Sequence, residues 1–333
     1  MIEILDPGLF STIQDLGRKG YQKYGVPVSG VMDFISARLV NMLVGNDENS
    51  ALIEFYMKGP KLKFHSDAYF AIAGDVRAKL NGRDIHPWKR YKASSGDVLE
   101  IGTISSGSYG YIAFSGGINT EPILGSRSTY LRANIGDKLK SGDRIPLGSH
   151  YNLPRLDYIP RSLIPKYSNS VEARIILGPD DDHFTENGIK TFFSSEYTVT
   201  PESDRMGYRL KGPKIEHSKR GPDIITDVVP LGTVQVPGNG QPIIMLADRQ
   251  TTGGYARIGV VITADIPKVA QLRPGGKIRF KEVTIEKAYE ELMKIENRLE
   301  LIKKLLYGKL IYIRTSVSGR TFDTFIELMY DHL

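Results

Sequence analysis

Pro242-Ile-Ile-Met-Leu-Ala247 and Ile258-Gly-Val-Val-Ile-Thr263 are two apolar runs separated by Asp248-Arg-Gln-Thr-Thr-Gly-Gly-Tyr255. Both runs are short and free of charge, the pattern of strands buried within a β structure. The connection between them carries a carboxylate, a guanidinium, an amide, two hydroxyls and a phenol, more functional groups than turning requires. Gly253 and Gly254 let backbone N–H groups approach a ligand closely, as residues with a Cβ would not. The segment therefore reads as a site loop on a β scaffold. Its candidate binding residues are Arg249, Thr251, Thr252, Gly253, Gly254 and Tyr255, with Asp248 as the candidate for proton chemistry.

Working outward, residues 1–150 are a succession of short strand-like runs separated by Gly, Pro, Asn and Asp. Examples are Ala68–Ala73, Val98–Ile101 and Tyr109–Phe114. One helix is expected over Asp33–Leu43, where Asp33 can cap and Ile35, Leu39, Val40 and Leu43 share a face. Residues 151–169, with prolines at 154, 160 and 165, read as a linker. Residues 170–285 repeat the β-rich style, with strand Ala173–Leu177 and a short helix near Asp182–Thr191. From Glu286 to Leu306 helical spacing is sustained by Ala288, Leu292, Ile295, Leu299 and Ile302, and Gly308 ends it. The remainder of the 286–333 extension reads as a strand at Leu310–Ile313 and a short amphipathic helix at Phe325–Met329.

Length and composition bound the function. A chain of 333 residues suffices for two domains of ordinary size. Its net charge of +6 comes from Lys and Arg scattered among 38 acidic residues. No basic helix or aromatic–basic pattern marks a nucleic-acid binder, and no apolar run is long enough to cross a bilayer as a helix. The absence of Cys excludes disulfides, thiolate metal sites and a Cys nucleophile. Met1-Ile-Glu-Ile lacks a signal-peptide pattern, so the expected compartment is the cytoplasm.

Five further polar groupings accompany the Asp248 loop. Gln14, Asp15, Arg18 and Ser29 stand on glycine-rich backbone between Thr12 and Asp33, either as a site or as an Asp15–Arg18 turn pair. In Leu124-Gly-Ser-Arg-Ser-Thr129, Ser126 and Ser128 flank Arg127 as an anion-binding loop would. It lacks the Gly-Lys-Ser/Thr ending of a phosphate loop. Gly178-Pro-Asp-Asp-Asp-His183 is read as acidic residues at a helix start, where they oppose the dipole, rather than as a metal site. Asp204 and Arg205, and Gln235 before Pro237-Gly-Asn-Gly, are close enough in sequence to Asp248 to share its site.

Taken together these segments carry a resemblance. Pro7–Arg18, Gly25–Asp33, Leu124–Thr129, Gly178–Phe184, Asp204–Leu210, Val234–Pro242 and Asp248–Tyr255 appear in the order of the biotin-dependent carboxyltransferase-like family. That family contains KipA, the C component of 5-oxoprolinase. It is similar to allophanate hydrolase subunit 2 and the urea carboxylase carboxyltransferase domain. The resemblance covers about residues 5–282 and implies a mainly β fold. Its form would be two cyclophilin-like β-barrel domains, a few short helices and a C-terminal helix.

The resemblance also implies a function: the C component of an ATP-dependent 5-oxoprolinase, which opens 5-oxoproline to glutamate. Its expected partners are a KipI-like protein (the B component) and a LamB/YcsF-like protein (the A component), with ATP as cofactor of the complex. No Met-Lys-Met biotinyl carrier motif occurs in the chain, so biotin is not expected to be attached to it. In this reading Asp248 or Asp15 serves as base or orients water. Arg127 with Ser126 and Ser128, or Arg249 with Gly253 and Gly254, receives developing negative charge, and Gln14, Gln235 and Tyr255 position substrate. The alternatives are a carboxyltransferase using carboxybiotin supplied in trans, and a non-catalytic regulator of a KipI-like protein.

Overall fold

Val98–Phe114 is a single 17-residue strand and the spine of the first half. Its glycines divide it into two runs in the sequence. In the computed structural model, which describes residues 1–149, 152–317 and 320–327, they mark bulges within one ladder. Register against strand Ala68–Leu80 shifts beside Gly74 (φ +127°) and Gly107 (φ +86°), a conformation open to residues without a Cβ. The spine pairs with Ala68–Leu80 on one side, and with Leu52–Tyr56 and Lys61–Phe64 on the other. The result is a nine-stranded sheet, a half-barrel where a closed barrel is expected.

Over its last eight residues the spine is buried on both faces. Ile112 and Phe114 join a core with Ile53, Phe55, Phe64 and Ile72. Tyr109, Tyr111 and Ala113 face the other way, towards Leu39, Val40 and Leu43 of helix Phe34–Leu43. That helix begins as expected: the Asp33 carboxylate accepts from the Ile35 and Ser36 amides.

The second half is a closed seven-stranded barrel. Its strands run Ser170–Leu177, Arg257–Val261, Thr233–Gln235, Ile243–Met245, Gly207–Lys211, Glu196–Val199 and Lys277–Glu282. Closure comes from the parallel pairing of the first with the last. Ala173, Tyr197, Leu210, Val234, Ile244, Ile258 and Ile278 fill it and belong to the same core that holds helix Phe34–Leu43. The two halves therefore share one hydrophobic interior, and the fold is mainly β as expected.

Two local readings are corrected, and the stretch between the two sheets is well anchored. The acidic run does not cap the helix after it: Thr185 caps Glu186–Ser194, Asp180 is ion-paired to Arg257, and Asp182 to Arg220. The 286–333 extension is only half helical. Helix Ile285–Leu306, capped by Thr284, is followed by antiparallel strands Leu310–Val317 and Arg320–Glu327, so Phe325 to Glu327 are strand. The pairing places Asp323 beside Arg314. Leu328 and Met329 lie outside the described residues. The stretch read as a linker is fastened along its length, with Ile159 bonded to Trp88 and the Tyr167 hydroxyl to Asp33 and Ser36. Tyr151 is outside the described residues. Among the described residues no helix is long and apolar enough to cross a membrane.

Candidate active site

A cleft of about 420 Å³ opens between the halves. Strand Phe10–Gln14, Tyr56, Tyr109 and Thr129–Arg132 form one wall, and Ser203–Met206, Tyr208, Asp248 and Leu272 the other. Most of this lining is aromatic or aliphatic, with a few polar groups converging in it, as in small-molecule sites. Burial pushes the phenols of Tyr109 and Tyr208 well up, so both are neutral hydroxyls at neutral pH.

Arg205 organises the floor. The Asp204 carboxylate accepts from the Met206 and Gly207 amides, a local turn that precedes strand Gly207–Lys211 and directs Arg205 inward. Arg205 Nε and Nη2 donate to the two oxygens of Asp248, each at 2.9 Å. Nη2 also donates to the Gly30 carbonyl at 2.6 Å, and Nη1 to Glu54. Burial disfavours the guanidinium charge, but Asp248 and Glu54 together more than reverse this, so Arg205 stays charged. The arrangement holds Asp248 in one orientation at the cleft surface.

Glu54 is a site residue that the motifs do not mark. It sits in strand Leu52–Tyr56, almost fully buried, and accepts from the Met32 amide at 2.7 Å and from the Tyr111 hydroxyl. Burial raises its pKa, partly offset by Arg205. The network has two carboxylates for one guanidinium. The available signal is one acid inside the apolar run Leu52-Ile-Glu-Phe-Tyr56.

The Gly25–Asp33 stretch supplies the rest of this floor. Ser29, at φ +56°, places its hydroxyl 2.5 Å from Asp248 Oδ1 and 2.9 Å from the Thr129 carbonyl. Gly30 is required beside it, because a Cβ there would lie 2.9 Å from the Gly17 nitrogen. Gln14 completes the cleft wall. Its Nε2 donates to Thr12 and Thr129, while its buried Oε1 has no partner among the described residues.

The other candidate residues have different places. Asp15 is a buried hub: its carboxylate accepts from Gly17 N, Ser126 Oγ, Ser128 Oγ and Arg127 N. The loop expected to bind an external anion thus binds the chain's own carboxylate. No Asp15–Arg18 ion pair forms among the described residues; Arg18 donates to the carbonyls of Ile123 and Ser128. Arg127 turns outside the cleft, to the Thr120 carbonyl and Asn119. Neither Asp15 nor Arg127 lines the cleft, so neither is positioned for the catalytic role expected of it.

The Gly253-Gly254 segment is not a free cradle. Thr252–Tyr255 is a strand paired with Asp223–Val228, and a Cβ on Gly253 would meet Gln235 Nε2 at 2.6 Å. Gln235 itself, on a barrel strand, binds Gln250. Thr251 gives its carbonyl to Val229, Tyr255 is exposed, and Arg249 lines another cavity. Of the candidate residues, Gln14, Asp204, Arg205 and Asp248 reach the cleft, with Ser29 directly behind Asp248. Among the described residues no group of three or more His, Cys, Asp or Glu side chains could hold a metal ion.

The model of the carboxyltransferase domain, subdomains A and B, matches residues 24–282. The chain belongs to this family. It is 35% identical to the C component of 5-oxoprolinase from Haemophilus influenzae over 316 residues, 93% of this chain and all of that protein. To the Escherichia coli protein of the same name it is 33% identical over 293 residues, 86% of this chain and 93% of the relative. The crystal structure of the K. lactis urea amidolyase superposes with a TM-score of 0.85 at 33% identity, over 90% of this chain. This carboxyltransferase-family chain spans only 20% of that enzyme.

Proposed function

We propose that the chain is the C component of an ATP-dependent 5-oxoprolinase and that the Asp248 cleft receives 5-oxoproline. The observation that carries this reading is the full-length correspondence with the Haemophilus influenzae 5-oxoprolinase protein. The cleft chemistry agrees with it. A lactam presents one N–H donor beside a carbonyl, and the cleft sets a few polar groups, Asp248 and Thr129 among them, in a mainly apolar lining. Lactam opening is slow because resonance stabilises the C–N bond. In the complex ATP would supply the activation, the overall change being 5-oxoproline, ATP and water to glutamate, ADP and phosphate as the ring C–N bond breaks.

In that scheme Asp248, fixed by Arg205 and Ser29, orients the water and takes its proton. Arg205 holds Asp248 immobile, and Glu54 completes the guanidinium's coordination. Arg132, paired to Asp204 across the cleft at 3.6 Å, is an exposed cation at the entrance, suited to the substrate carboxylate. The partners are a KipI-like and a LamB/YcsF-like protein. The test is glutamate formation from 5-oxoproline by the three proteins with and without ATP, repeated with Asp248→Asn. A second reading, carboxyl transfer from carboxybiotin supplied in trans, is favoured by the likeness to the urea amidolyase structure. Transfer of label from carboxybiotin to urea, with no glutamate formed, would select it.

A further inference from the structure

Ser29, Val31 and Met32, from the loop that grips Arg205 and Asp248, also line a second cavity of about 390 Å³. None of its lining residues is shared with the cleft. This volume lies within the ~300–1,000 Å³ of ligand sites. Its walls are mainly aliphatic, from Leu231, Leu246, Ile266 and Leu292 among others.

The charge inside it is unbalanced. Arg38 at its edge is neutralised by Glu48 and Glu296, each at 2.7 Å. Arg249 is only 8% exposed and forms no ion pair among the described residues. Its Nε donates to the Val229 carbonyl at 2.9 Å and its Nη1 to the Leu246 carbonyl at 3.3 Å. Nη2 donates to nothing among the described residues, yet it is not one of the polar atoms sealed off without a partner. Arg249 is among the residues that line this cavity. Burial with no carboxylate to offset it pulls the guanidinium down to about 10. A buried cation of this kind is costly to the fold unless an anion completes it.

We propose that this cavity binds a small organic monocarboxylate, its carboxylate on Arg249 and its hydrocarbon part against Leu231, Leu246, Ile266 and Leu292. The fork geometry of the buried Arg249 guanidinium matches the two oxygens of a carboxylate, while Lys19 lines the cavity from its exposed side. The aliphatic walls match an apolar body. The proposal does not depend on the oxoprolinase reading, because binding to this chain alone is what is measured.

Hexanoate, hexanol and inorganic phosphate are each titrated into the full chain by calorimetry. Saturable one-site binding is expected for hexanoate and none for the other two at the same concentrations. Arg249→Met should weaken hexanoate by about tenfold or more. Because Arg249 also ties down two carbonyls, Leu292→Trp provides a second variant. It fills the cavity from the C-terminal helix and should abolish binding with the circular dichroism spectrum unchanged. No saturable hexanoate binding by the wild type, or undiminished binding by either folded variant, would overturn the proposal. Phosphate binding in place of hexanoate would overturn the carboxylate assignment.

Discussion

Arg205 and Asp248 hold each other twice. The guanidinium chelates both carboxylate oxygens at 2.9 Å, and the Asp248 amide donates to the Arg205 carbonyl, also at 2.9 Å. Side chain and backbone thereby fix one orientation of Asp248 at the cleft. Removing one partner of such a buried pair strands the other charge, which costs about 3–5 kcal/mol. Arg205→Met should therefore lower unfolding free energy by about that amount in urea titrations. Asp248→Asn should cost less, because Glu54 and the Gly30 carbonyl still hold Arg205.

Glu54 gives the fold a pH signature. Its pKa is raised by burial, so the folded chain binds that proton more tightly than the unfolded chain. The stability from Glu54 is fully present below the ordinary carboxylate range and is lost as pH rises through the raised folded value. Unfolding free energies of wild type and Glu54→Gln, compared across pH, should differ with that slope. A difference that grows more favourable to wild type with rising pH would contradict the assignment.

Asp15 and Arg127 should behave oppositely to catalytic residues. Asp15→Ala leaves two serine hydroxyls and two amides without their acceptor. A loss of about 2–4 kcal/mol is expected from several orphaned donors at about 1 kcal/mol or more each. Faster amide hydrogen exchange at Arg127 should accompany it. Arg127→Ala removes only bonds to Thr120 and Asn119 and should leave both stability and turnover near wild type. Loss of turnover in a folded Arg127→Ala protein would return that residue to the chemistry.

The scaffold is more legible in the sequence than the site. Apolar runs around Asp248 are barrel strands Ile243–Met245 and Arg257–Val261, and Asp33 caps its helix, because both patterns are local. Val98–Phe114 is hidden since a glycine at a bulge and a glycine at a turn look alike until pairing is known. Phe325 to Glu327 are strand where a helix is expected, because Arg314 and Tyr312 hold Asp323 and decide the pairing. Glu54 shows in the sequence only as one acid in an apolar run, and its role stays hidden because its partner Arg205 is 151 positions away. Ser126 and Ser128 do bind a carboxylate, as their pattern suggests. Which carboxylate they hold, Asp15, is settled only by the fold.

Asp248→Asn in the assembled three-protein mixture tests the central claim most directly. Glutamate released from 5-oxoproline should require ATP and all three proteins, and should fall by at least about a hundredfold in the variant, the usual weight of a general base. Binding of this chain to its partners should be unchanged. Glutamate release at the wild-type rate by folded, complex-bound Asp248→Asn would show that the cleft carboxylate held by Arg205 is not the working group.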